Sequence, residues 1–330
     1  MLLTRSRVHG KAFYDFLSND FEVLYIGKCL PYKLSIVTFV PIILYEILHS
    51  IIGILNGFKL ILMRYVSLDS VLIALFLSKL RVKIFLLFAG SDTLYFSNFM
   101  SPFIINVLKK SSIIFCSNSD IKKIVSKYVA DKSKLYLYFT PVHLSDFPKK
   151  NLNAKEYDLI TAGSINHNKS QEVLIKACPI LSKDTKVLIV GEGPLLNDLR
   201  KKSNMLKLNV TFTGSLPHRE AWLALLKSKV YVHTSKREGL PKSVLEAIYC
   251  KLPIIVLPSQ YVKDLLAMGF YINVVAERKP ETLACVIKNV LQNYRTEYKK
   301  SIENKNNLLR VIDLQRLKFL KIMETIRNAT

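Results

Sequence analysis

Two glutamates, Glu238 and Glu246, stand eight positions apart in the stretch TSKREGLPKSVLEAIYCKLPIIV, Thr234 to Val256. Between them Gly239, Leu240 and Pro241 read as a turn, and Ser243 opens a short helical pattern. Ser243 followed three residues later by Glu246 has the spacing of a capping box, in which the carboxylate serves only the backbone donors of the first turn. The same geometry suits a second use. A helix N-terminus presents backbone N–H groups and the positive end of its dipole, which suit a diphosphate. A carboxylate in that first turn can accept hydrogen bonds from two vicinal hydroxyls, such as those of a ribose. Glu238, across the turn, would then lie close to a sugar carried on the diphosphate. From the residues alone both readings of Glu246 stand, as cap and as ribose ligand.

The elements that must position these residues follow from periodicity. In the N-terminal part, short apolar strands are predicted at LLTRSR, FEVLYIG, FKLILMRYV (58–66), KIFLLFAG (83–90), SIIFCSN (112–118) and KLYLYF (134–139). Helical patterns fill the gaps between them. The alternation predicts a parallel, doubly wound α/β sheet. The pattern loses its period in TPVHLSDFPKKNLNAKE and restarts at YDLITAGS. Strands are predicted there and at KVLIVGEG, NVTFTG, KVYVHTS and LPIIVLP, with helices between them and a basic helical tail. The expected organisation is an N-terminal domain over 1–145, a linker over 146–156, a second domain over 157–300 and a basic helix over 301–330. The N-terminal domain is a candidate packing partner for that last helix. Two such domains in tandem would face each other across a cleft at the carboxyl ends of their strands, where open α/β sheets bind ligands.

Composition bounds the partners. The 330 residues hold 48 Lys and Arg against 25 Asp and Glu, a net charge of +23. Such a surface attracts a phosphorylated substrate, an anionic membrane leaflet or a nucleic acid. Nucleic acid is disfavoured, because the basic residues are spread without aromatic interleaving or a recognition helix. The five cysteines lack paired spacing, which argues against a disulfide framework and for a reducing, cytosolic-side location. His9, His143, His167, His218 and His233 lack metal-ligand spacing, so no metal is assigned. No secretory leader is expected at MLLTRSRVHGKAFYDFL. The segment 34–58 is mostly apolar, but Pro41, Glu46 and His49 interrupt it. It is read as a buried or interfacial helix rather than a membrane span, which needs roughly 18–20 apolar residues.

Several segments in order resemble the retaining nucleotide-sugar glycosyltransferases of family 4, which have the GT-B fold. The Glu238–Glu246 stretch is similar to that family's E-x7-E motif. AGSINHNKSQEVLIKA resembles the first strand–loop–helix of its donor domain, with Gly163 and Lys169. LIVGEGPLLNDL resembles its G-x-G-P segment, and VTFTGSLPHREAWLALLKSKVYVHTS the strand and helix leading into the motif. The resemblance covers about 155–260 closely and the N-terminal half more loosely. It implies that Glu246 binds the ribose, that Glu238 contacts donor-sugar hydroxyls, and that Lys169 pairs with the leaving diphosphate. Gly239, Leu240 and Pro241 would offer backbone to phosphate and sugar, and Ser243 would lie on the same donor side. Without the resemblance, Lys169 reads equally as a solvated loop lysine. Two positions depart from the family pattern. Ser164 stands where an Arg often follows the glycine, and Ala89 where a His precedes Gly-Ser-Asp. Asp92 remains as a catalytic or acceptor-orienting candidate, with an N-cap or turn role as the alternative. Gly10 is the candidate glycine turn near the acceptor, and Ser117 the acceptor-side serine.

The implied reaction is retaining, metal-independent transfer from a UDP-, GDP- or ADP-sugar, with no further cofactor. The acceptor is expected to be a glycan, a lipid-linked glycan or a membrane lipid. The chain would act as a peripheral protein on the cytosolic face of the membrane. The rivals are an epimerase or hydrolase of nucleotide-sugars on the same fold, and a basic nucleic-acid-binding protein.

Overall fold

A computed structural model describes residues 2–3, 25–26, 60–64, 74, 83–88, 101–138, 142, 144, 147–148 and 154–328. The chain divides into two compact units, Met1–His143 and Leu144–Thr330.

Among the described residues of the first unit six strands pair in parallel: β1 (Leu2–Leu3), β2 (Tyr25–Ile26), β3 (Leu60–Arg64), β4 (Lys83–Phe88), β5 (Ile113–Cys116) and β6 (Leu135–Leu137). Their order in the sheet is β2-β1-β3-β4-β5-β6. Each of the six expected strand stretches contains one of these strands. Strands β4 and β5 are almost wholly buried, as continuous apolar runs in a parallel sheet require. Helices α1 (Ser101–Lys110) and α2 (Ser119–Val125) follow β4 and β5 in the chain. Asn118 caps α2, its side chain accepting from the Ile121 N–H at 2.8 Å.

The second unit holds β7 (Tyr157–Ala162), β8 (Val187–Val190), β9 (Val210–Gly214), β10 (Ser228–His233), β11 (Ile254–Val256) and β12 (Asn273–Val274), again all parallel. The order is β12-β11-β10-β7-β8-β9. The chain therefore runs outward from β7 to β9, returns to β10 beside β7, and runs outward the other way. The switch in direction falls between β7 and β10, and ligands of open α/β sheets sit outside the carboxyl ends of the strands at such a point.

The helices of this unit are α3 (Glu172–Ala177), α4 (Leu196–Met205), α5 (His218–Leu226), α6 (Lys242–Tyr249), α7 (Val262–Ala267), α8 (Pro280–Gln292) and α9 (Tyr294–Asn328). Pro179 turns the predicted longer helix after β7 into α3 and a short 3-10 turn, Cys178–Ile180. The tail, read as one helical stretch, is broken at Asn293 into α8 and α9. On one face Leu174 and Ile175 of α3, and Leu283, Ile287 and Val290 of α8, pack on Leu159, Val230 and Ile255 of the sheet. Each fully buried aliphatic side chain of this kind contributes about 1.5–3 kcal/mol of transfer free energy. Helix α9 packs along α6. Ser301 donates to the Lys251 carbonyl at 2.7 Å, and Asn304 pairs both ways with the Tyr271 backbone at 2.7 and 2.8 Å. Phe147, Trp222 and Tyr249 stack edge to face beside it, with the Lys305 ammonium 4.2 Å from the Tyr249 ring centre.

Candidate donor site

The loops leaving β7 and β8 are pressed backbone to backbone. Gly191 has φ 137°, and a Cβ there would stand 1.9 Å from the Gly163 carbonyl oxygen. Only glycine permits both that conformation and that approach. Further along, the Ile165 N–H donates to the Glu192 carbonyl at 2.8 Å and the Leu195 N–H to the Ile165 carbonyl at 3.2 Å. Asn166 Oδ1 then accepts from the N–H groups of Asn168 and Lys169 at 3.0 and 2.9 Å, turning the chain so that it can meet the loop after β10.

That meeting takes four hydrogen bonds. Thr234 Oγ1 donates to the Lys169 carbonyl at 2.6 Å, and the Lys236 N–H donates to the Asn168 carbonyl at 2.8 Å. The Asn168 side chain gives a bond to the Arg237 carbonyl at 2.9 Å and takes one from the Arg237 N–H at 3.2 Å. The stitched loops bring Lys169 and Glu238, 69 positions apart in sequence, into an ion pair of 2.5 Å from Nζ to Oε1. Their side chains are 20% and 18% exposed, so water reaches the pair without surrounding it. The Lys169 ammonium also lies over Gly163, 3.6 Å from where a Cβ would stand.

Glu246 occupies the second turn of α6, and Oε1 lies 3.1 Å from His218 Nε2 at the start of α5. The capping-box reading is corrected here. Pro241, with φ −72° and ψ 121°, is the N-cap of α6 and no side chain caps the helix. The proline ring fixes the entry angle, and its carbonyl accepts from Val244 and Leu245 at 3.1 and 3.3 Å. Ser243 therefore sits one residue inside the helix, where its hydroxyl hydrogen-bonds Tyr231. Burial raises the Tyr231 phenol well above its ordinary range, and the Ser243 bond works against that rise. Freed from the cap, the Glu246 carboxylate is held sideways by His218.

Beneath these loops His233 ends β10, only 2% exposed. Burial first, then the nearby positive charges of Lys169 and Arg278, hold its pKa well below the ordinary imidazole value, so the ring is neutral. Arg278, in the segment between β12 and α8, donates to the Ser235 carbonyl at 3.1 Å, to the Pro258 carbonyl at 2.9 Å and to the Thr234 carbonyl.

Comparison with known proteins identifies the family and the fold. The family model of glycosyl transferases group 1 matches residues 144–308, half of the chain. The chain belongs to this family. An undecaprenol-diphosphate-glycan alpha-1,4-N-acetyl-D-galactosaminyltransferase of Campylobacter jejuni is 26% identical over 251 residues, covering 70% of this chain and 66% of that enzyme. The alpha-monoglucosyldiacylglycerol synthase of Streptococcus pneumoniae is 25% identical over 173 residues, covering 47% of this chain and 39% of that one. The chain thus spans less than two thirds of either relative. Among solved structures, Anabaena HepE with UDP and glucose gives a TM-score of 0.74 at 13% identity, over 95% of this chain and 89% of that one. Sucrose-phosphate synthase of Thermosynechococcus elongatus gives 0.73 at 14% identity, over 90% and 81%. The fold is GT-B, as the resemblance implied.

In this group 1 glycosyl transferase fold, every donor-side residue singled out from the sequence lies in the second unit. Gly163, Ser164 and Lys169 follow β7, while Glu238, Gly239, Leu240 and Pro241 lead into α6, which carries Ser243 and Glu246. Lys169 and Glu238 are in contact; Ser164 is exposed, and its carbonyl accepts from Gln171 Nε2 at 2.9 Å. Ser117 follows β5 in the first unit, its N–H donating to the Phe88 carbonyl at 3.1 Å. Gly10, Asp92 and Ala89 lie outside the described residues, as does the apolar segment 34–58. Among the described residues no helix is long and apolar enough to cross a membrane, and no three His, Cys, Asp or Glu side chains cluster as metal ligands. Sequence reasoning missed Asn168, Thr234, His218 and Arg278. Their partners lie 20 to 69 positions away, and no local spacing announces such pairs.

Proposed function

We propose that this chain transfers a sugar, with retention, from a nucleotide-diphospho-sugar to a lipid-linked glycan or membrane lipid. The observation that carries the reading is the Lys169–Glu238 contact at the switch point of the second sheet, with Glu246 one helix turn further on. The contact sets a cation for a diphosphate beside a carboxylate for sugar hydroxyls. In this reading Lys169 and the start of α6 carry the negative charge that grows on the leaving diphosphate, the term that dominates such catalysis. The acceptor oxygen bonds to the anomeric carbon as the carbon–phosphate-oxygen bond breaks on the same face. The acceptor proton passes to the leaving phosphate. Positive charge from Lys169 and backbone N–H groups is the reason for proposing a metal-independent step. Glu246 takes the ribose hydroxyls, and Asp92 and Gly10 serve the acceptor side.

The acceptor class rests on charge and on relatives. One relative is named for an undecaprenol-diphosphate glycan and another for a diacylglycerol glycolipid. On α9, Leu309, Leu314 and Leu317 are 39%, 58% and 62% exposed, among the exposed basic residues Arg310, Lys318 and Lys321. Such a face suits peripheral attachment to an anionic leaflet, where each basic residue contributes about 1 kcal/mol. The test is incubation with UDP-, GDP- and ADP-sugars and a lipid-linked acceptor, followed by product analysis. A new α-glycoside supports the reading. Free or epimerised sugar alone identifies the hydrolase or epimerase instead.

A further inference from the structure

Arg278 is a half-buried cation whose three hydrogen-bond partners are all carbonyl oxygens: Thr234, Ser235 and Pro258. Among the described residues no carboxylate pairs with it. Burial lowers its pKa from the ordinary guanidinium value, as expected for a charge held by neutral dipoles. Leaving a cation unneutralised inside a fold is costly, so its placement calls for a reason.

The three carbonyls have one thing in common. Thr234 and Ser235 are the first residues after β10, and Pro258 is two residues past the end of β11. Arg278 thus ties together the carboxyl ends of two neighbouring strands, on the side where the donor loops emerge. Thr234 is also the residue whose hydroxyl donates to the Lys169 carbonyl. Three residues beyond Ser235 stands Glu238. A second bond, from Ser259 Oγ to the Lys236 carbonyl at 3.1 Å, ties the same two segments. The planar guanidinium addresses Ser235 and Pro258 through Nη1 and Thr234 through Nη2, a fork that a single ammonium cannot reproduce.

We propose that Arg278 is a positioning residue of the donor site: by holding the carbonyls of Thr234, Ser235 and Pro258 it sets the segment that brings Glu238 to Lys169. The inference rests on the donor-site reading above and goes beyond it. It assigns a role to a side chain outside the E-x7-E stretch, one that holds backbone carbonyls. Its charge adds to that of Lys169 at the buried His233, so the positive field at this edge has two sources. Ser164, in the loop after β7, supplies none.

The experiment compares the full chain with Arg278→Lys and Arg278→Ala. Folding is measured by thermal melting; affinity for UDP, GDP and ADP by calorimetry, and transfer by kcat and KM, are measured well below the melting temperature. Arg278→Ala is expected to lower kcat by roughly 10- to 100-fold, of the order seen when a catalytic group is misplaced by about 1 Å. Arg278→Lys should recover only part of that, and millimolar guanidinium should restore part of the activity of Arg278→Ala. A folded Arg278→Ala with wild-type kcat, KM and diphosphate affinity would overturn the inference. So would a loss that only tracks the unfolded fraction. If Arg278→Ala does not fold, Arg278→Lys decides alone: wild-type kcat in that variant also overturns it. A wild-type chain that binds none of the three diphosphates defeats the donor-site reading, and this inference with it.

Discussion

Replacing Glu238 by Gln should make the chain bind a bare nucleoside diphosphate more tightly while it transfers sugar more slowly. In the structure the Lys169 ammonium is already engaged, 2.5 Å from the Glu238 carboxylate. A diphosphate must take Lys169 away from that partner. The gross attraction of two unit charges at this distance is on the order of 6–7 kcal/mol at an effective dielectric constant of about 20. Desolvation of both groups returns most of it. With side chains 20% and 18% exposed, the pair is neither a screened surface pair nor a dry one. A net strength of about 1.5–3 kcal/mol, that of a charge-assisted hydrogen bond, is appropriate. Gln still hydrogen-bonds but carries no charge, so about half of that competition disappears. The predicted gain is roughly threefold to tenfold in affinity for the nucleoside diphosphate that binds best. Transfer should fall tenfold or more, because a charged acceptor for the sugar hydroxyls is gone. Calorimetry with UDP, GDP and ADP reads the first effect, and initial rates read the second. Unchanged or weaker diphosphate affinity in Glu238→Gln would refute the competition between Glu238 and phosphate for Lys169.

Four other outcomes follow from the same geometry. Lys169→Ala should lower kcat by about 10²–10³, since the charge is felt most as the diphosphate leaves; wild-type turnover would return Lys169 to a loop lysine. Glu246→Gln should weaken diphosphate binding about tenfold yet leave the melting temperature almost unchanged, because Glu246 caps nothing; a large stability loss with normal binding would count against the ribose role. Gly191→Ala should cost at least 2–3 kcal/mol in urea unfolding, given the 1.9 Å approach to the Gly163 carbonyl, and a mild effect would reject that packing. His233 is neutral when folded and protonates near pH 6.5 when unfolded, so the unfolded chain takes up the extra proton as pH falls. Stability should be complete above about pH 6.5 and decline below it by up to about 1.4 kcal/mol per pH unit, and His233→Gln should flatten that slope in pH-dependent denaturation.

Much of the fold was legible because parallel sheets bury continuous apolar runs, and KIFLLF and VLIV have few other uses. Strand β12, two residues at an edge, and the six-residue α7 carry too little periodicity to be read. The break between α8 and α9 at Asn293 lacks a Gly or Pro signal. Within the site, the glycines and the two glutamates were legible because their spacing is local. The start of α6 was misjudged. Ser-x-x-Glu is a good cap signature, but Pro241 two residues earlier fixes the N-terminus first, and Ser243 turns to Tyr231. The Arg278 clamp and the His218–Glu246 pair are contacts between distant loops, set by strand order and not by sequence neighbours.

The central claim is that the loops around Lys169, Glu238 and Glu246 hold a nucleotide-diphospho-sugar. The most direct measurement is a thermal-shift titration of the wild-type chain and of Glu246→Ala with UDP-, GDP- and ADP-sugars. At a hundredfold its dissociation constant, a bound donor stabilises the fold by about 2.7 kcal/mol. The account predicts a saturable shift of that size for one nucleotide series in the wild type, and its loss in a folded Glu246→Ala. No shift with any donor, or an equal shift in Glu246→Ala, would contradict it.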